Sequence, residues 1–174
     1  MSAGQITNIF ATIRAKLTRT LDELPLIVGN AAVNYSLDAF AKQAWEGKQW
    51  DKRKSKKDTG RSLLVKSGRG KRSIRIIRTA PGLVVVGSDI PYMKVHNEGG
   101  KISRAARSET FVRNRFSRGD KKGKFKRGTT SGQGLSFKAY SFNMPQRTFL
   151  KGTPLFIAAM KRVIRAELQK ALKY

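Results

Sequence analysis

The chain holds a single histidine, His96, with Glu98 two residues on, and no cysteine. A histidine-based metal centre needs further His, Asp or Glu ligands at workable spacing, and no carboxylate cluster stands near His96. A separation of two residues also fails to place His96 and Glu98 on one helix face. No nucleophile elbow surrounds any serine, and no pair of the 11 acids is spaced for general acid and base work. The run Gly68-Arg-Gly-Lys-Arg-Ser73 has the look of a phosphate loop. Its glycine spacing is wrong, however, and a strand rather than a helix is expected after it. The residues therefore predict no catalytic, cofactor-binding or metal-binding set. His96 reads as a structural or interface residue, and the chain as a non-enzyme. The missing cysteines exclude disulfides and thiolate metal sites.

Charge supplies the chemistry instead. Lys and Arg number 37 against 11 Asp and Glu, a net charge of +26 and a pI near 11.2. Such a chain repels itself and seeks polyanions, since basic groups brought to phosphates release condensed counterions. The excess is densest between Lys101 and Gly134. Arg104, Arg107, Arg113, Arg115, Arg118, Lys121, Lys122, Lys124, Lys126 and Arg127 lie there, with Glu109 and Asp120 as the acids. These ten cations are the predicted contacts to DNA or to an acidic protein surface. Phe111, Phe116 and Phe125 are too sparse to seed a core, but could stack on bases.

The elements that carry these residues read as one α+β domain over 1–174. Ile6, Ile9, Phe10, Ile13, Leu17 and Leu21 recur at helical spacing, and Pro25 is expected to interrupt that helix at Leu24. A second helix then runs on with Val28, Ala31, Ala32, Tyr35, Ala39 and Phe40, ending near Gly47, so that 4–47 is helical. Trp50 is placed as a lid on the core. A sheet region is expected over 62–100 and 135–150. It includes a hairpin of Ser73–Thr79 and Leu83–Gly87 about Pro81-Gly82, with Ile74 and Ile76 on one face, and a returning strand at Leu135–Phe142. Residues 101–134 read as a long basic flexible loop, with room for a short hairpin of its own. Thr153-Pro154 caps a C-terminal helix over 153–173, with Leu155, Phe156, Ala159, Met160, Val163, Ile164, Leu168, Ala171 and Leu172 as its apolar stripe. The predicted fold is an antiparallel sheet packed on an N-terminal helical region and a long C-terminal helix. No apolar run is long enough to span a bilayer and no signal peptide is visible, so no membrane partner is expected.

Three short motifs stand in order along this frame. Phe40, Gly47 and Trp50 close the helical region. Tyr92-Met-Lys-Val-His96-Asn-Glu-Gly99-Gly100 gives Tyr-x-x-x-His-Asn-x-Gly-Gly, and Pro145-Gln-Arg147-Thr-Phe149-Leu150 precedes the last helix. With Ser67-Gly68 and Arg72-Ser73-Ile74, this series resembles the phage tail-completion families: the Mu-type virion-morphogenesis proteins and the related head-tail joining proteins. The resemblance covers about residues 20–174. Two departures are visible: Arg69-Gly70-Lys71 stands where the family has a leucine, and the loop before Pro145 is long and basic.

The resemblance implies a structural virion protein of a tailed bacteriophage, a subunit of a ring, hexameric by expectation, that completes the tail or joins it to the head. Its partners would be further copies of itself, other neck and tail proteins, and packaged DNA or an acidic protein surface. It would reside in the virion tail or neck after assembly in the host cytoplasm. The residues make independent physical sense of the motifs. Tyr92 and Val95 are expected to pack inward, His96 to bond a neighbouring backbone, Gly99-Gly100 to permit a sharp exit, and Pro145 to preset a turn. Arg147 can fork onto a carboxylate or backbone carbonyls, either as a structural bridge within one subunit or as a contact across a ring interface, while Phe149 and Leu150 start the core. The competing reading is a stand-alone basic nucleic-acid-binding protein, which the charge supports and the motifs leave unexplained.

Overall fold

The computed structural model describes residues 3–53, 60–110, 119, 120, 122 and 134–173. The chain, read above as one domain, divides into two compact units: residues 1–99 with 145–174, and residues 100–144. The fold is α+β.

The first unit is built on α1, a single helix from Ala3 to Lys42. At 1.5 Å per residue it is about 60 Å long. Pro25 sits inside it and does not end it, which corrects the expected break at Leu24. A proline there removes one backbone hydrogen bond and crowds the preceding turn. Its ring is buried, lining an apolar groove with Val28, Leu83, Val84 and Ile164, so tertiary packing overrides the local preference. The helix also ends earlier than expected. Gly47 belongs to a tight turn between β1 (Ala44–Trp45) and β2 (Lys48–Gln49), where Glu46 and Gly47 both take positive φ, 49° and 86°. Two such residues in succession make the turn that matches the twist of a two-residue hairpin.

A one-turn helix α2 (Arg69–Arg72) stands between Gly68 and the next strand, where a strand alone was expected. Then β3 (Arg75–Ala80) pairs antiparallel with β4 (Leu83–Gly87) about Pro81-Gly82, as the turn signal predicts. A bulge between Ile76 and Arg78 breaks the alternation. Ile74 is buried ahead of the strand, Ile76 is half-buried, and Ile77 faces outward at 56% exposure. This hairpin packs on α1 at Gly29, where an added Cβ would come within 2.7 Å of Ile76 Cδ1 and Val84 Cγ2.

Helix α3 (Pro91–Glu98) follows, and α4 (Pro154–Leu172) closes the chain. The Thr153 hydroxyl caps α4 by accepting from the Phe156 N–H at 3.3 Å. Phe156, Met160, Val163, Ile164 and Leu168 are half-buried on the packed side of α4, which lies along α1. Leu155 and Leu172, counted in the predicted stripe, are exposed at 59% and 55%. They flank the stripe at the two ends of the helix. The core gathers Ala39, Phe40, Trp45, Trp50, Ile74, Ile90, Met93 and Phe149, so the helices and short strands share one apolar centre.

The second unit contains β5 (Gly100–Arg104), β6 (Arg107–Thr110), β7 (Gly134–Phe137) and β8 (Tyr140–Met144). The single returning strand expected at Leu135–Phe142 is thus two strands, and the expected loop from residue 101 begins as two more. The one antiparallel sheet of the sequence reading is four two-stranded ladders: β1–β2, β3–β4, β5–β8 and β6–β7.

Candidate functional site: a motif junction and an exposed ribbon

The three sequence motifs meet in the first unit. Phe40 packs edge-on to Trp50, with ring centroids 5.4 Å apart, and lies 5.2 Å from the Phe149 ring. Trp50 Nε1 donates to the Thr148 carbonyl at 2.8 Å, so the buried indole is satisfied by the third motif. The Arg147 N–H donates to the His96 carbonyl at 2.8 Å, which ties the third motif to α3. Arg147 itself is buried at 7% exposure, and its Nε and Nη2 both donate to the Asp51 carbonyl, at 3.1 and 3.0 Å. The guanidinium thus forks onto one backbone carbonyl of its own chain. Burial pushes its pKa down, Asp51 pulls it up, and Arg53 pushes it down again.

Asn97 carries the densest part of this junction. Its Oδ1 accepts from the Phe149 and Leu150 N–H groups at 2.9 and 3.0 Å, and its Nδ2 donates to the Leu150 carbonyl at 2.9 Å. One amide thereby satisfies three backbone groups of a chain segment more than fifty residues away. The sequence reading passed over this residue, although it stands inside the His-Asn-x-Gly-Gly motif. A side-chain amide has no periodicity, and only its place beside the two glycines could have marked it.

Gly99 fits the same junction. Its φ is +73°, and an added Cβ would lie 3.0 Å from Gln146 N and 3.2 Å from Gln146 Cα. Both the backbone conformation and the close approach demand glycine. Pro145 is half-buried at the return of the chain, and Leu150 is half-buried against the core. Two expectations for α3 need correction. Met93, not Tyr92, is the inward residue, at 2% against 47% exposure. Val95 is half-buried. Met93 is the one buried residue of this short helix, and Gly70 receives its sulfur so closely that a Cβ there would meet it at 2.7 Å. The expected His96 side-chain bond is not seen at Nδ1, which is buried with no hydrogen-bond partner among the described residues, while the His96 carbonyl accepts from the Arg147 N–H. Burial, then the nearby Arg147, lowers the imidazole pKa from its ordinary 6.5.

The second unit is the candidate interaction surface. Gly100 pairs with Met144, Arg104 with Tyr140, Arg107 with Phe137 and Thr110 with Gly134. Between Arg104 and Arg107 one strand advances by as many residues as the other retreats between Tyr140 and Phe137. The two ladders therefore keep one register and form a single ribbon, interrupted at 105–106 and 138–139. From Gly100 to Thr110 such a ribbon is about 34 Å long. Every residue from 136 to 143 is exposed, as are Lys101, Ser103, Arg104, Ala105, Ala106 and Arg107. Along β5–β8, alternation puts Ile102, Arg104, Tyr140 and Phe142 on one face and Lys101, Ser103, Ser141 and Asn143 on the other. Tyr140 and Phe142 stack with centroids 6.1 Å apart, and the Arg107 guanidinium lies 4.9 Å over the Phe137 ring.

Of the predicted contact cations, Arg104 and Arg107 stand on the ribbon, not in a loop, and exposed Lys122 closes a turn with its N–H on the Gly119 carbonyl at 2.9 Å. Arg113, Arg115, Arg118, Lys121, Lys124, Lys126 and Arg127 lie outside the described residues, as do Phe111, Phe116 and Phe125. Lys138, exposed on the ribbon, was missed because it falls beyond the stretch that charge density marked.

Among the described residues no group of three His, Asp or Glu side chains could hold a metal ion, and no helix is long and apolar enough to cross a membrane. The described site is thus an α+β unit locked by backbone-directed hydrogen bonds and a ribbon whose described side chains are mostly exposed. The chain belongs to the phage virion morphogenesis family, whose profile matches residues 2–169. No curated protein and no solved structure matches it. Membership over nearly the whole chain makes this a bacteriophage virion protein of a structural family.

Proposed function

We propose that the protein is a ring subunit that completes the tail of a tailed phage or joins it to the head, working by binding and not by catalysis. The observation that carries this reading is the exposed ribbon. A two-stranded ribbon is marginal in water by itself, and each of its strands has one long edge without a neighbour among the described residues. Such edges and faces are stabilised when a partner covers them, and closed rotational symmetry covers them in every copy at once. Helix α1 supports the same reading. Phe10 is exposed at 67% and Leu21 at 56%, and the packing partners of α1 are α4, β1, β3 and β4. The partners proposed are further copies of the chain in a hexamer, neighbouring neck and tail proteins, and a polyanion that offsets the charge. The virion neck or tail is the proposed location.

Mass measurement of the purified protein across protein concentration tests the ring. A closed species of fixed copy number, six by expectation, is the predicted outcome, and electron microscopy should show it as an annulus. A monomer under all conditions, including in the presence of tail tubes, overturns the ring. It would favour a stand-alone nucleic-acid-binding protein, which the charge of +26 otherwise suits.

A further inference from the structure

We propose that the apolar face of the ribbon docks in the groove beside Pro25 on the next copy of the chain. The inference rests on the ring reading and names the two surfaces that join one subunit to the next. The groove is lined by Leu24, Pro25 and Val28 of α1 and Ile164 of α4, all buried or half-buried. Leu21 and Leu83 stand at its rim, 56% and 45% exposed. Its volume is about 280 Å³. Small-molecule sites run from about 300 to 1,000 Å³, so this groove is sized for one or two side chains of a protein partner. Exposed Asp22 also lines it and makes no ion pair among the described residues. Glu23 follows, held by Arg19 at 3.0 Å. In a chain with 11 acids against 37 cations, this acidic rim is a place to which a cation of another copy is drawn and not repelled.

The ribbon carries the complement. In β5–β8 the register puts Ile102, Arg104, Tyr140 and Phe142 on one face. Tyr140 and Phe142 stack at 6.1 Å and stay 56% and 43% exposed. Exposed Arg104 is paired directly with Tyr140, so the cation and the aromatic strip share that face. Interface centres are enriched in aromatic residues and arginine, and this strip matches a groove that is apolar along its length and acidic at its rim. Neither surface complements itself, since pairing like with like brings Arg104 toward Arg104 or Asp22 toward Asp22. The contact is therefore heterologous. Repeated by rotation, a heterologous contact closes a ring, whereas a self-complementary patch stops at a dimer. The attraction between Asp22 and Arg104 is local, while the repulsion between whole chains is long-ranged and screened by salt, so the two coexist.

The test uses the full chain at about 0.15 M salt, with mass measured across protein concentration. Phe142→Lys spoils the strip and Leu83→Lys spoils the groove rim, both at exposed positions, and Gln49→Lys on exposed β2 controls for added charge. Each of the first two should raise the concentration needed for assembly at least about tenfold, and the control should assemble like the parent. Mixed in equal amounts, the first two leave one sound strip facing one sound groove. Dimers should then form that neither variant forms alone and that grow no further. Arg104→Asp lowers the net charge, so repulsion alone predicts tighter assembly. Docking predicts assembly weakened about three- to tenfold, and recovered in Asp22→Arg/Arg104→Asp. Rings of parental strength in Phe142→Lys and Leu83→Lys overturn the docking and leave the ring standing. A mixture without dimers also overturns it, the result expected if the ribbon covers the groove of its own chain. A parent that stays monomeric under all conditions overturns both readings. Open chains of variable length, broken by the same variants, uphold the docking and overturn the ring. If Phe142→Lys melts early, Arg104→Asp and its rescue by Asp22→Arg carry the ribbon side of the comparison.

Discussion

Asn97 shows how much of the junction rests on single side chains. Truncation to alanine leaves the Phe149 and Leu150 N–H groups and the Leu150 carbonyl without their partner. Each buried polar group stripped of its partner costs about 1–3 kcal/mol, and some of these can recover water, so Asn97→Ala should destabilise the fold by about 2–4 kcal/mol in denaturant titration. A variant that unfolds with the parent would show that the clamp is redundant. His96 gives a second prediction, in pH. Its folded pKa lies below the ordinary 6.5 because of burial and then Arg147. The unfolded chain therefore takes up a proton more readily. The stability associated with a neutral His96 is complete above about pH 6.5 and is lost as pH falls from there through the lowered folded value. His96→Gln should flatten the fall in melting temperature between about pH 7 and pH 5. An unchanged pH profile would place the titration elsewhere. At this scale the sequence was half legible. Phe40, Trp50 and Phe149 announce a core by type, whereas Asn97 works through backbone groups of a segment that no local pattern connects to it.

The elements divide between those that follow local chemistry and those that override it. The cap at Thr153-Pro154 and the turn at Pro81-Gly82 are local, and both read directly from sequence. The continuity of α1 through Pro25 is not local, because the groove residues that bury its ring come from β4 and α4. The ribbon was hidden for a different reason. Its returning side was expected at Leu135–Phe142, but residues 101–110 are too rich in polar and charged groups to show a strand's apolar alternation. The seat of the β3–β4 hairpin on α1 can be tested at Gly29. Glycine inside a helix costs about 1 kcal/mol relative to alanine, so a residue retained for helix propensity would not be glycine. An added side chain would drive into Ile76 and Val84. Gly29→Val should therefore destabilise by about 1–3 kcal/mol despite a better intrinsic propensity. A stabilised variant in thermal melts would mean that the hairpin moves aside at little cost.

For the whole molecule, charge is the governing quantity. Six copies would bring together about 156 formal positive charges, and their repulsion is screened over about 10 Å at 0.1 M salt and 30 Å at 0.01 M. If the ring forms, its assembly should be weakened at low salt and restored either by raising salt to about 0.5 M or by adding short duplex DNA at low salt. Sedimentation across that salt range checks the expectation. Rings that are tightest at the lowest salt without any polyanion would show that the charges are held far apart or are neutralised within the assembly. None of this was hidden in the sequence, since net charge needs no fold. Where the charge is displayed did need one: the ribbon, not composition, sets Arg104, Arg107 and Lys138 along one extended element.

The shared register of the ribbon also restricts how its length can change by insertion and deletion. Because residues on one strand are matched one to one with residues on the other, loss of a single residue from either strand shifts every pair beyond it and exchanges the two faces of that strand alone. Removal of a matched pair keeps the pairing but turns the outer part of the ribbon over relative to its base. Only removal of two adjacent pairs preserves both pairing and facing. Deleting Ser103 alone should therefore disrupt the ribbon. Deleting Ser103 and Arg104 together with Tyr140 and Ser141 should leave it shorter by about 7 Å and otherwise intact. Amide exchange along β6 and β7 separates the two cases: protection should survive the double-pair deletion and be lost in the single one. Viable length variants of this chain are thus expected to differ by even steps in the ribbon.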